Sequence, residues 1–295
     1  MSQPIMLKAL LWLSGFALAY LGLTLIPAVN NVPPHTYYQQ QGFETIAHGA
    51  GQGLRPKNTL EAALNAWQLG ADVIEMDIHA SADNQLVARH DDTVNATTNG
   101  QGYIRDMTLA QLKTLDAGYY HQQGGIYPFR DQHVQIPALA EVFSALPNAR
   151  FMLEIKPDTP TDSDLLCQLI KLHGRSQQVL VTSFHTEALL AFRQACPDVA
   201  TSMTKKEITW FVLLHKIGLS HLYPLKGVAM QVPEYSGPIK IVTPALIRAL
   251  NNRGARLQVW TINDEAAMRR FLDYGVNGII TDFPDRLMTL VTTAK

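Results

Sequence analysis

Only two cysteines, Cys167 and Cys196, occur in the 295-residue chain, and their separation matches no thiolate metal spacing, which excludes a zinc site held by sulfur. Net charge is almost absent as well. The 24 Lys and Arg against 25 Asp and Glu leave −1, and a nucleic-acid partner, which needs clustered cations to neutralise phosphates, is not expected. The glycine-rich stretch HGAGQGLRPKNT after Ala47 matches neither a P-loop nor a dinucleotide fingerprint. No internal repeat or low-complexity tract is present.

Between Lys8 and Glu44 there is no formal charge. The run ALLWLSGFALAYLGLTLIPAV, residues 9–29, approaches the roughly 20 apolar residues that span a bilayer as a helix. A single uncleaved transmembrane anchor is therefore expected. A cleaved signal peptide is the alternative, but the one Ala-x-Ala match, Ala17 to Ala19, falls in the middle of the run. Lys8 precedes the helix and no further Lys or Arg appears before Arg55. That bias places the short tail in the cytoplasm and the body on the outer, extracytoplasmic side of the membrane. The expected organisation is a tail and anchor over 1–30, a polar, proline-bearing linker over 31–42 that need not be ordered, and a body over 43–295. In an exported body Cys167 and Cys196 can pair; as two small buried apolar residues they read equally well.

From Phe43 onward short β-prone runs alternate with helix-length amphipathic segments. The runs begin at Glu44, Asp72, Arg150, Gln178, Val199, Gly227, Arg256 and Gly278. This is the pattern of βα units and a parallel sheet. Eight such strands predict a closed (β/α)8 TIM barrel. An open doubly wound sheet is the alternative, but it gives no reason for polar residues to recur at so many strand ends. Residues 91–147 interrupt the alternation after the second strand and read as a small insertion over the barrel mouth. Capping residues are expected at Asn58 and Asn263.

Polar residues at the carboxyl ends of barrel strands are the candidates for chemistry. Glu75 and Asp77, in VIEMDIH, sit two apart and face the same way on a strand. Glu154 and Lys156 repeat that spacing in MLEIKP, on the next strand of the alternation. Three carboxylates and a lysine in one space are costly unless a cation and an anion join them. His48 ends the first strand and His90 follows the second; imidazoles titrate near neutral pH and suit acid and base roles. Lys156 either contacts an anion or pairs with Glu154, and Asp91 and Asp282 either support the site's other residues or act as caps, capping being the preferred reading.

His48, PKNT (56–59) with Glu61 and Ala62, GADVIEMDIHASADNQLVARHDDT (70–93), TTNGQGYIRDMTLAQLKTLDAG (97–118), IPALAEV (136–142), LEIKP (153–157), VWTIN (259–263) and GIITDFPD (278–285) together resemble the glycerophosphodiester phosphodiesterase family, in order and over almost the whole body. The resemblance implies a TIM barrel with an insertion after the second strand, and hydrolysis of glycerophosphodiesters to glycerol phosphate and an alcohol. It implies one divalent cation, Mg2+ or Ca2+, held by Glu75, Asp77 and Glu154. His48 and His90 become the acid/base pair, Lys156 a phosphate contact, and Trp260 an aromatic of the pocket wall. It also implies attack by the glycerol's own neighbouring hydroxyl, giving a cyclic phosphate that water opens. The family's arginine after the first histidine is replaced here by Gly49, and either Arg55 or the backbone amides of Gly49 to Gly53 would take its place. Two further readings stand beside this one. With an anchor, and with the apolar segment Ile208 to Leu222 dipping into lipid, the substrate would be a lysophospholipid cleaved by lysophospholipase D action. With the arginine lost, the chain would be an inactive phospholipid-headgroup binder.

Overall fold

The computed structural model describes residues 3–38 and 42–293. Residues 1–2, 39–41 and 294–295, belonging to the expected tail, linker and body, lie outside it. The chain begins with helix α1 (Gln3–Thr24), followed by β1 (Glu44–Ala47), α2 (Leu60–Gln68) and β2 (Val73–Ala80). Next come β3 (Leu86–Ala88), α3 (Leu109–Leu112), α4 (Leu139–Ala145), β4 (Phe151–Ile155) and α5 (Pro160–Leu172). They are followed by β5 (Val179–Thr182), α6 (Thr186–Ala195), β6 (Ala200–Thr201), α7 (Lys205–Lys216) and β7 (Ala229–Val232). The chain ends with β8 (Tyr235–Ser236), β9 (Ile239–Lys240), α8 (Pro244–Asn251), β10 (Arg256–Val259), α9 (Glu265–Tyr274), β11 (Gly278–Thr281) and α10 (Pro284–Thr293).

Eight parallel strands run in the order β6, β5, β4, β2, β1, β11, β10, β7. A parallel bridge from Ser202 to Ala229, with Met203 N–H donating to Ala229 O at 2.8 Å, joins the two ends into a TIM-barrel-like closed sheet. The outward faces of the strands are apolar because helices cover them: Ala62, Leu139, Phe143, Leu166 and Leu189 pack with Ile74, Phe151 and Val179 in one buried cluster. The insertion has its own small core of Val94, Ile104, Leu112, Val134 and Ile136 against Val87. It is launched by β3, which folds back antiparallel on β2. Its last helix, α4, packs on the sheet as an ordinary crossover helix, so the insertion ends before the expected residue 147.

The N-terminal segment differs from expectation. α1 has 22 residues and ends at Thr24 rather than Val29, because Pro27 offers no N–H and disfavours helix in the residue before it. Among the described residues no helix is long and apolar enough to cross a membrane, so the expected transmembrane anchor is not shown. The described part of the 31–42 linker is packed rather than loose. Arg253 Nε donates to Asn30 O (3.0 Å) and Val32 is buried against Gly254. Tyr37, 2% exposed, lies under the Arg150 guanidinium at 4.4 Å. Arg150 in turn pairs with Glu44 at the amino end of the barrel. The segment is a strap that closes that end.

Candidate active site

The carboxyl ends of β1, β2, β4 and β11 converge on one cluster. The β2–β4 register sets Asp77 beside Glu154, with Glu75 one side-chain step earlier on the same face of β2. One oxygen from each of Glu75, Asp77 and Glu154 lies within 4.8 Å of the others. The site is buried: burial, then the charge of Asp77, pushes Glu75 up to about 7. Burial also raises Glu154, against the opposing charge of Lys156. For Asp77 burial acts upward too, but Lys156 and Lys57 outweigh it and the pKa is lowered. Three hard oxygen donors that repel one another fit a divalent cation of the Mg2+ or Ca2+ type.

Lys156 Nζ reaches Glu154 Oε1 at 2.9 Å and Asp77 Oδ1 at 3.0 Å. It therefore pairs with Asp77 as well as with Glu154, the partner that stood as the alternative to an anion contact. Asn58, with φ +58°, does not cap α2. Its Nδ2 donates to Asp77 Oδ2 (2.7 Å) and its Oδ1 accepts from Asp77 N–H (3.2 Å), while Thr59 caps the helix. Asp264, not Asn263, caps α9.

His48 sits at the end of β1 with Nδ1 2.6 Å from Asp282 Oδ1. Gln52 and Asn263 donate to the same carboxylate at 2.6 and 2.7 Å and fix its orientation. Burial opposes a charged His48, but the hydrogen bond to Asp282 and the charges of Glu75 and Asp282 prevail, so its pKa is raised. His90 Nδ1 is 2.7 Å from Asp91 Oδ1. Asp282 and Asp91, for which capping is the reading preferred from sequence and support of the site the alternative, are thus the partners of the two histidines.

Arg55 does not join this cluster. Its guanidinium stacks on Phe129 of the insertion, 5.6 Å from the ring centroid, and Nη1 donates to Leu54 O. The cation beside Gly49 is Lys57, which sequence reasoning passed over inside PKNT. A Cβ at Gly49 would lie 2.9 Å from Lys57 Cγ, and Lys57 Nζ is 3.8 Å from Asp77 Oδ2. Gly49 itself has φ +53° and gives its N–H to Glu75 Oε2 at 2.6 Å. The missing side chain leaves the room that Lys57 fills.

His48, Glu75, His90, Glu154, Lys156 and Trp260 line one cavity of about 660 Å³. A second cavity, about 590 Å³, lies at the amino end of the barrel beside Tyr37 and Arg150 and contains none of the candidate residues.

Residues 48–286 match the model of the glycerophosphoryl diester phosphodiesterase family. A glycerophosphodiester phosphodiesterase of Caldanaerobacter subterraneus subsp. tengcongensis is 32% identical over 253 residues, 83% of this chain and 96% of that one. The human protein named lysophospholipase D GDPD1 is 25% identical over 267 residues, covering 82% of this chain and 84% of its own. The crystal structure of a glycerophosphodiester phosphodiesterase from Agrobacterium tumefaciens superposes with a TM-score of 0.68 at 25% identity, over 84% of this chain and 99% of that one. Barrel, carboxylate cluster and these likenesses agree: the chain belongs to the glycerophosphoryl diester phosphodiesterase family and is a phosphoric diester hydrolase.

Proposed function

We propose that the protein hydrolyses glycerophosphodiesters to glycerol phosphate and an alcohol, with Glu75, Asp77 and Glu154 holding one divalent cation, Mg2+ or Ca2+. The observation that carries the reading is the convergence of three carboxylates on adjacent strands beside two histidines, each held by an aspartate. When bound, the cation neutralises the non-bridging phosphate oxygens. Lys156 and Lys57 add positive charge on the same side, where charge builds up in the transition state. With Nδ1 of each ring occupied by aspartate, Nε2 is the nitrogen left for substrate. The raised pKa of His48 suits it to hold a proton and deliver it to the departing alkoxide. His90 takes the proton of the attacking hydroxyl, which belongs to the glycerol, leaving a cyclic glycerol phosphate and the free alcohol. With the roles reversed, His48 takes a proton from a water whose oxygen opens the ring, and His90 returns its proton to the departing glycerol oxygen. Trp260 walls the site, paired edge to face with Phe184. A protein that only bound headgroups would have no use for two aspartate-held imidazoles.

The second reading, lysophospholipase D action at a membrane, is favoured by the apolar lining of the cavity beyond the cluster, where Ile208, Val212, Pro233 and Ile239 stand. A body held on the extracytoplasmic side by the N-terminal helix accords with this reading. Its support is the exposed apolar surface of α1, including Trp12, Phe16 and Leu21, and the Cys167–Cys196 disulfide between α5 and α6, a bond of oxidising compartments.

The test is phosphorus NMR of glycerophosphocholine incubated with the full chain and cation. Glycerol phosphate is expected, and His48→Ala or His90→Ala lowers its rate by about 10²-fold or more. Phosphocholine as product, or full activity in both variants, would refute the assignment.

A further inference from the structure

The two histidines of the site are held in different ways. His48 ends β1 while its aspartate, Asp282, stands at the end of β11, so the ring is fixed from two strands of the barrel. His90 lies in the loop after β3, its side chain 45% exposed, and Asp91 is its own neighbour in that loop. A bond between chain neighbours sets which ring nitrogen carries the proton. It does not set where the loop lies, and something outside the loop has to.

The β2–β3 ladder ends at the pair Ile78 and Ala88. One residue further, Arg89 N–H still donates to Asp77 O at 2.8 Å, and then the chain leaves the sheet. His79 reaches across at that point. Its Nε2 is 3.2 Å from His90 O, and since a carbonyl oxygen only accepts, Nε2 is the nitrogen that carries the proton and donates. Among the described residues no backbone N–H donates to that oxygen. His79 is itself 6% exposed and falls on the same face of β2 as Glu75 and Asp77, two and four residues on in the alternation. One face of one strand thus carries two of the three carboxylates and the donor that fastens His90. His79 is not among the residues that line the cavity.

We infer that His79 is a positioning residue for His90: its Nε2–H holds the loop peptide so that the His90 ring stays aimed at the carboxylate cluster. This rests on the acid/base reading of His90 given above. His79 touches no substrate and transfers no proton. It refers the base to the strand that carries Glu75 and Asp77, so that base and cluster keep one geometry, and a misplacement of about 1 Å at such a group costs about 10²-fold in rate.

The experiment measures kcat and KM for glycerophosphocholine in the full-length, cation-loaded protein with His79→Leu, His79→Asn and His79→Gln, each alone and combined with His90→Ala. Leu removes the donor. Asn carries an amide N–H only at the reach of Nδ1, whereas Gln places one at the reach of Nε2. His79→Leu and His79→Asn are expected to lower kcat by about tenfold or more with KM unchanged, and His79→Gln to recover it to within about threefold of wild type. On the His90→Ala background none of the three changes the residual rate, because the group through which His79 acts is gone. A residue that only supported the fold would lower that residual rate too. The Asn and Gln variants, alike in polarity, decide the matter even where His79→Leu does not fold. Undiminished kcat in His79→Asn, equal losses in Asn and Gln, or a further loss in the combined variants overturns the inference and spares the reading of His90. Full activity in His90→Ala overturns that reading, and the role of His79 with it.

Discussion

His48 and His90 each present Nδ1 to an aspartate, and the consequence is clearest at Asp282. That carboxylate takes hydrogen bonds from Gln52 and Asn263 as well as His48, which hold its own pKa down against burial. Asp282→Asn removes the charge that raises His48. The His48 pKa then drops, the ring loses its proton at lower pH, and the alkaline limb of the kcat–pH profile moves toward acid. A fall in kcat of about 10²-fold accompanies it, and a profile with an unmoved alkaline limb would remove Asp282 from this role. Lys57 is tested through Gly49. Gly49→Arg places a side chain where Lys57 Cγ now lies and evicts the lysine, whereas Lys57→Met removes only the charge. Loss of a charged contact of about 1.5–3 kcal/mol predicts at least a tenfold weaker affinity for glycerol 3-phosphate in Lys57→Met, measured by calorimetry. Unaltered affinity would return the anion-contact role to Lys156 alone.

Among the elements, α7 forms one wall of the site cavity through Ile208 and Val212, and it is positioned from α6. Arg193 grips Glu207 with two hydrogen bonds, 2.7 and 2.9 Å, and also holds Thr201 and Ser202 at the end of β6. Burial raises the Glu207 pKa, but Arg193 and the Thr204 cap outweigh it and the result is lowered. A carboxylate with a lowered folded pKa stabilises the protein above its unfolded value, about 4.3, and that contribution is lost as pH falls through the folded value. Glu207→Gln should therefore destabilise by about 2 kcal/mol near neutral pH, less than a fully buried pair because this one is partly solvated. In urea denaturation the gap between wild type and variant should narrow as pH falls below the unfolded value of about 4.3 and through the lowered folded value. A gap that persists in acid would assign the loss to packing rather than charge.

The elements also show what could be read from the chain. The eight barrel strands announce themselves as apolar runs such as Phe151–Ile155, and the carboxylates within them stand out because a strand fixes which residues share a face. The β8–β9 hairpin does not, since its strands are two residues each and too short to show alternation. Asn58 looked like a cap because caps and carboxylate-binding amides use the same side chain; only the positive φ and the fold bring it to Asp77. Arg55 and Lys57 lie two residues apart in one loop, and nothing local tells which turns inward. The strap was missed because two anchors, Val32 and Tyr37, carry its packing inside an otherwise polar stretch.

At the scale of the whole molecule, the barrel has a closed amino end and a working carboxyl end. Tyr37, Arg150 and Glu44 pack the strap against the first, beside the cavity that contains none of the candidate residues. The second gathers every candidate group except Arg55. The carboxylate cluster is proposed to work by holding a divalent cation. The most direct measurement is release of glycerol phosphate from glycerophosphocholine with cation, after chelation, and after cation is restored, in wild type and in Asp77→Asn. The account predicts activity that chelation abolishes and cation restores in wild type, with Asp77→Asn inactive at any cation concentration that saturates wild type. Undiminished hydrolysis after chelation, or in Asp77→Asn, would contradict it.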